Sequence, residues 1–170
     1  MRRKLIVGVL LSVFCLMGGL AESAGKAAEG GPFQKAAPFK LQTPKGETVS
    51  LEEFAGKVVY LDFWGSWCPP CVEEVPHLIA LYDQYKEKGF VVIGIALGDS
   101  KKSLLHFIEK KKVPYPVVLG EDSLLEAYRG VVFLPTAFVI DRKGFIRRKL
   151  FGYREKEEIE QIIRPLLEEK

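Results

Sequence analysis

The residues of this chain best suited to chemistry are two cysteines, Cys68 and Cys71, in the stretch WGSWCPPCVEEVP. A pair at this spacing can close a structural disulfide, supply half of a metal site, or act as a reversible dithiol. A closed zinc site takes four ligands, and the chain's two histidines, His77 and His106, stand at no ligand spacing from the pair. Both are expected as polar residues on helix surfaces. A structural bridge over so short a loop removes little chain entropy. The reversible dithiol needs a thiolate, and the flanking sequence favours one. The pair follows the apolar run VVYLDFW and opens an amphipathic stretch, so Cys68 falls at a helix N-terminus, where free N–H groups and the positive dipole end favour the anion. Cys68 is therefore the expected nucleophile, and Cys71, one turn on, the thiol that resolves a mixed disulfide. Trp67 and Trp64 are expected to cover the sulfurs. Pro69 and Pro70 have no N–H, which leaves chiefly the donors of Cys71 and Val72 for the Cys68 thiolate and points to a reducing couple.

Several elements must position this pair. Val58 to Trp64 and Phe90 to Leu97 are short, β-branched runs, as expected of strands buried on both faces. Between them, Val72 to Lys88 has helical apolar spacing, which makes a right-handed strand–helix–strand crossover. Ser100 is expected to cap a second helix whose Lys110-Lys111-Lys112 end is solvated. Val117 to Leu119 reads as a strand, and Asp122 or Ser123 as the cap of a short helix over Leu124 to Tyr128. Thr136 to Ile140 and Phe145 to Phe151 flank Asp141-Arg142-Lys143-Gly144 as a hairpin. A last helix, Glu155 to Glu169, carries an apolar stripe interrupted by Pro165. The expected sum is an α/β domain, a central mixed sheet with helices on both faces.

Of the 170 residues, 48% are hydrophobic, enough for one well-packed domain. The N-terminus sets Arg2-Arg3-Lys4 before an apolar run, the order of an export signal. Residues 1–21 are expected to be either a cleaved signal peptide or, at the lower edge of spanning length, a retained anchor. Residues 22–37 read as a linker and 38–170 as the domain. Cys15 reads as an ordinary apolar residue of the segment. Residues 1–21 hold three of the 25 basic residues and no acidic ones, so the remainder balances 22 against 22. Nothing in that balance points to nucleic acid.

WCPPC between a strand and a helix, Pro76 five positions after Cys71, and Leu134-Pro135-Thr136 before a strand resemble thioredoxin. The opening APFKLQTPKGETVSLEEFAGKVV, Glu74 three positions past Cys71, and the extra helix and strand between Gly98 and Gly120 are similar to the TlpA/ResA group of extracytoplasmic thioredoxin-like proteins. The likeness runs from Pro38 to the C-terminus. It implies a thioredoxin-like fold with a helix–strand insert. It also implies a thiol-disulfide oxidoreductase that reduces disulfides in exported proteins, with cytochrome c biogenesis among the group's tasks. Carried over by position, Cys68 is the attacking and Cys71 the resolving cysteine, Pro135 the cis-proline facing them, Leu134 the backbone that pairs with substrate, and Pro76 a structural proline. Asp62 matches thioredoxin's buried aspartate and Glu74 the acid of the ResA type, and either could handle the Cys71 proton. The resemblance further implies no cofactor beyond the Cys68–Cys71 disulfide, a membrane thiol electron donor, and a monomer. Its place would be the periplasm or the outer face of the inner membrane, touching the bilayer only through an uncleaved N-terminal segment. Two alternatives remain from the residues: a thiol peroxidase with antioxidant activity, and a dithiol protein that handles Cu(I).

Overall fold

The computed structural model describes residues 34–169. A small antiparallel hairpin comes first, β1 (Lys40–Gln42) and β2 (Thr48–Ser50). The apolar run of the sequence becomes β3 (Val58–Trp64), buried at every position. It leads into α1 (Pro69–Tyr85), which tightens to a 3₁₀ turn over Lys86–Lys88 before β4 (Phe90–Ala96). Then follow α2 (Lys101–Lys111), β5 (Val117–Leu119), α3 (Asp122–Ala127), β6 (Thr136–Ile140), β7 (Ile146–Phe151) and α4 (Lys156–Glu168). The five long-range strands are ordered β5-β4-β3-β6-β7. The β3–β4 and β4–β5 pairs are parallel, and the β3–β6 and β6–β7 pairs antiparallel. The expected mixed sheet is present, with the region between Gly98 and Gly120 supplying α2 and the edge strand β5.

Alternation along β3 divides the core in two. Val58, Tyr60 and Trp64 face a layer that contains Leu78 and Leu81 of α1, Leu104 of α2, and Ile159 and Ile163 of α4. Val59, Leu61 and Phe63 face the other layer, with Leu41, Val49 and Leu124. A side-chain period of two lets one strand serve both layers. Its position at the centre of the sheet fixes the point from which the dithiol projects.

Three local expectations need correction, and one element has no signal in the sequence. The cap of α3 is Glu121, rather than Asp122 or Ser123. Pro165 does not interrupt α4, which runs on through Glu168, since the buried stripe Ile159, Ile163 and Leu166 holds the helix across one missing donor. The β1–β2 hairpin was not anticipated, because three-residue strands leave almost no alternation to read. The end of the expected linker is docked: Ala36 N–H donates to Gly144 at 2.9 Å, Ile146 N–H to Gln34 at 2.9 Å, and the Tyr128 hydroxyl to the Ala37 carbonyl at 2.8 Å. Ala36 is buried there, and the small, polar composition that suggested a tether also suits a segment that pairs through its backbone. The export-signal or anchor expectation falls on residues outside the described ones. Among the described residues, no helix is long and apolar enough to cross a membrane.

Candidate active site

Cys68 is the N-cap of α1, with Pro69 and Pro70 in its first two positions. Prolines suit these places, because the N–H they lack would have no partner inside the helix. The two sulfurs are bonded in this structure, Cys68 to Cys71. Val72 N–H is already spent on the Cys68 carbonyl at 3.0 Å, so the Cys71 N–H is the donor left in the first turn. That is one fewer than the sequence suggested.

The loop leading to Cys68 is clamped to the end of β4. Ser66 N–H donates to Asp99 at 2.9 Å and the Ser66 hydroxyl donates to the same carboxylate. Trp67 Nε1–H donates to the Leu97 carbonyl at 2.8 Å while its ring stays 62% exposed. Gly65 is required by this placement: a Cβ there would lie 2.7 Å from the indole nitrogen and 3.2 Å from the Leu97 carbonyl. Trp64, by contrast, is sunk in the core against Phe107.

Trp67 and Cys68 border a groove of about 470 Å³ with Leu97, Val132, Phe133 and Leu134 on its other walls. Cys68 keeps 4% of its surface and Cys71 2%, so the pair is far less open than a surface dithiol, and Cys68 meets the exterior along the groove. Val132 is 76% and Phe133 50% exposed, an apolar lip that continues through the ring of Phe151, 5.4 Å from that of Phe133. The Leu134–Pro135 peptide is cis, as the resemblance implied. The Pro135 carbonyl accepts from Gly152 N–H at 2.8 Å, and Thr136 Oγ1 donates to the Phe133 carbonyl at 2.7 Å, which pins this loop to β7.

Both acids singled out in the sequence are buried on the same side of the sheet. Asp62 lies in β3 opposite Gly94 of β4 and Ala137 of β6 and is buried. Glu74 is one turn beyond Cys71 on the inward face of α1. Its Oε1 accepts Arg154 N–H at 2.9 Å, whereas Glu74 Oε2, Asp62 Oδ1 and the Tyr60 hydroxyl are buried without a partner among the described residues. Burial pushes the Asp62 carboxyl well above the usual range, and the nearby Glu74 charge pushes it further. Burial likewise raises Glu74 to about 7, against the opposing pull of the Arg154 N–H bond and guanidinium. Tyr60 and Tyr115 complete this polar cluster, their hydroxyl pKa values raised chiefly by burial. Glu73 is exposed.

Arg154, Tyr60, Tyr115 and Asp99 were not found from sequence. Tyr60 could have been, since it shares the face of Asp62 two positions away. Arg154 and Asp99 sit 80 and 33 residues from their partners, and no local signal joins them. His77 does not stand free as a helix-surface residue. Its Nδ1 lies 3.3 Å from the Arg154 carbonyl and its ring against Tyr153, so it supports the segment that holds Glu74.

A strand-borne buried acid, a dithiol capping a helix and a cis-proline loop facing it are the parts of a thioredoxin-like exchange site. Residues 32–149 match the model of the AhpC/TSA family. The chain is 33% identical over 133 residues to the thiol-disulfide oxidoreductase ResA of Bacillus thuringiensis subsp. konkukian, covering 78% of this chain and 77% of that one. It is 35% identical to ResA of Bacillus subtilis over 159 residues, 89% and 87% of the two chains. The chain belongs to the ResA thiol-disulfide oxidoreductases of the AhpC/TSA family. The crystal structure of a thioredoxin-family thiol:disulfide interchange protein from Chlorobium tepidum TLS overlays with a TM-score of 0.76 at 27% identity, over 81% of this chain and 99% of that one. The fold is thus thioredoxin-like, and the protein is a redox enzyme that acts on disulfides. The Cys68–Cys71 pair, at disulfide distance, fits a CXXC motif.

Proposed function

We propose that the protein is an extracytoplasmic reductant of disulfides in exported proteins, with Cys68 as nucleophile and Cys71 as resolving thiol. The observation that carries this reading is the placement of Cys68, capping α1 and bordering an apolar groove whose wall includes Leu134, the residue before cis Pro135. A substrate strand lying along Leu134 would bring its disulfide to Cys68, with Trp67, Pro69 and Pro70 shaping the approach. The Cys68 thiolate attacks one substrate sulfur, forming a mixed disulfide and expelling the other as thiolate. Cys71 gives its proton to a buried carboxylate and attacks the Cys68 sulfur. This step releases the reduced substrate and leaves the Cys68–Cys71 disulfide. A membrane-borne dithiol then returns two electrons and two protons.

Glu74 is the better placed acceptor. A carboxyl titrating near 7 is ionised often enough to take the proton and protonated often enough to return it. Asp62, buried and also raised, acts on Cys71 through the same cluster. The scarcity of N–H donors around Cys68 supports the reducing direction, with a potential nearer that of thioredoxin, about −270 mV, than the oxidant value near −120 mV. Apocytochrome c is the substrate that the family resemblance suggests. The basic and apolar N-terminus supports export, either as a cleaved signal or a retained anchor.

The match to the AhpC/TSA family keeps a peroxidase reading in view, but the groove at Cys68 has no Thr or Arg in its walls to polarise a peroxide. Binding of Cu(I) needs a third donor, and among the described residues no group of three His, Cys, Asp or Glu is placed to hold a metal. The test is Cys71→Ser expressed in the native host. Exported proteins should accumulate in reductant-sensitive adducts with Cys68. Recovery of no adduct, with the variant folded and Cys68 free, would sink the proposal.

A further inference from the structure

The pole of the domain opposite the dithiol carries a second cavity, of about 430 Å³, that the exchange reaction does not use. Its floor is apolar, with Leu51, Phe54 and Ile140, and its rim carries Lys35, Lys57 and Lys143. Among the described residues none of the three ammonium groups has a carboxylate partner; Lys57 only leans over the Phe54 ring at 5.7 Å. The other charges at the cavity largely cancel. Arg142 is spent on the carbonyls of Gly56, Lys88 and Leu167, and Asp141 on its own turn and Arg147, which leaves exposed Glu52 as the single free acid.

The location follows from the sheet. Cys68 lies past the C-terminal end of β3, whereas the cavity gathers the residues just before β3, the end of β6 and the β6–β7 turn. Seven strand residues separate the two by roughly 20 Å. The described chain also begins at this rim: Lys35 bridges to Phe145 and Ala36 N–H donates to Gly144. Residues 22–33 connect it to the basic and apolar segment 1–21, and can extend over at most about 40 Å.

We infer that this lysine-rimmed cavity is a membrane-docking surface that takes the phosphate groups of anionic phospholipids, directing the dithiol away from the bilayer. It rests on the extracytoplasmic placement proposed above and is independent of the dithiol chemistry. Three unpaired ammonium groups around an apolar hollow match an anionic headgroup above acyl chain, and clustered lysines are drawn to such surfaces.

The test uses the full chain in nanodiscs of dioleoylphosphatidylglycerol or of dioleoylphosphatidylcholine, with acetylation of each lysine read by mass spectrometry. The expected result is labelling of Lys35, Lys57 and Lys143 slowed at least about fivefold in the anionic discs, the effect fading at about 0.5 M salt as screening sets in. Lys101 and Lys102, exposed at the start of α2 on the dithiol side, should label equally in both. A variant with Lys35→Gln, Lys57→Gln and Lys143→Gln should lose the lipid-dependent hydrogen-exchange protection of residues 51–57 and reduce insulin at the unaltered rate. Equal labelling in the two lipids overturns the inference, and so does protection already present in detergent, which would mean that the chain's own residues cover the cavity. A failure to reduce insulin would count against the proposed reductase alone.

Discussion

Glu74 is the residue expected to set how the site responds to pH. A carboxyl that titrates near 7 in the folded protein, rather than at its ordinary 4.5, holds its proton more tightly in the native state. Its stabilising contribution is complete below the ordinary value and is lost as pH rises through about 7, at up to about 1.4 kcal/mol per pH unit. Asp62, also raised, acts in the same direction. Urea unfolding should therefore show stability falling between pH 5 and pH 7.5, and Glu74→Gln should flatten that slope. The same substitution should remove an ionisation near neutrality from the pH profile of insulin reduction. An unaltered profile would leave Asp62 as the proton acceptor for Cys71.

At the scale of the element, the start of α1 sets the thiol chemistry. Two prolines and a bond from Val72 N–H to the Cys68 carbonyl leave one first-turn donor for the thiolate. Pro70→Ala restores an N–H there, and a hydrogen bond of about 0.5–1.5 kcal/mol to the thiolate corresponds to roughly 10–30 mV. A glutathione redox titration should place the variant more oxidising than the native protein by that amount. The loop before the helix is set by packing of another kind. Gly65→Ala would drive a methyl into the Trp67 ring, so the indole should leave the Leu97 carbonyl, its fluorescence should shift to the red, and disulfide exchange should slow several-fold.

For the whole molecule, the boundary of the domain lies earlier than composition suggested. Residues 34–37 contribute three hydrogen bonds to β7, its turn and Tyr128, and they bury Ala36. A chain that begins at residue 38 should be less stable than one that begins at 32 by about 2–4 kcal/mol, at roughly 1 kcal/mol per lost bond plus the uncovered apolar surface. Thermal unfolding of the two purified chains checks this. Tyr128 should report the change too, because its buried hydroxyl loses its acceptor.

Sequence alone determined the dithiol, the sheet and most helix positions, because these depend on neighbours within a few residues: alternation, caps, and prolines that remove donors. The family resemblance marked Asp62 and Glu74 as rivals for the Cys71 proton. Their joining in one buried cluster with Tyr60 and Tyr115 was decided by tertiary structure, as were the Arg154 and Asp99 contacts. These pairings close loops of tens of residues, and their energies come from burial and desolvation, quantities that exist only once the chain has packed. The groove beside Cys68 and the lysine-rimmed cavity at the other pole are likewise products of packing, since segments far apart in the chain must meet to wall them.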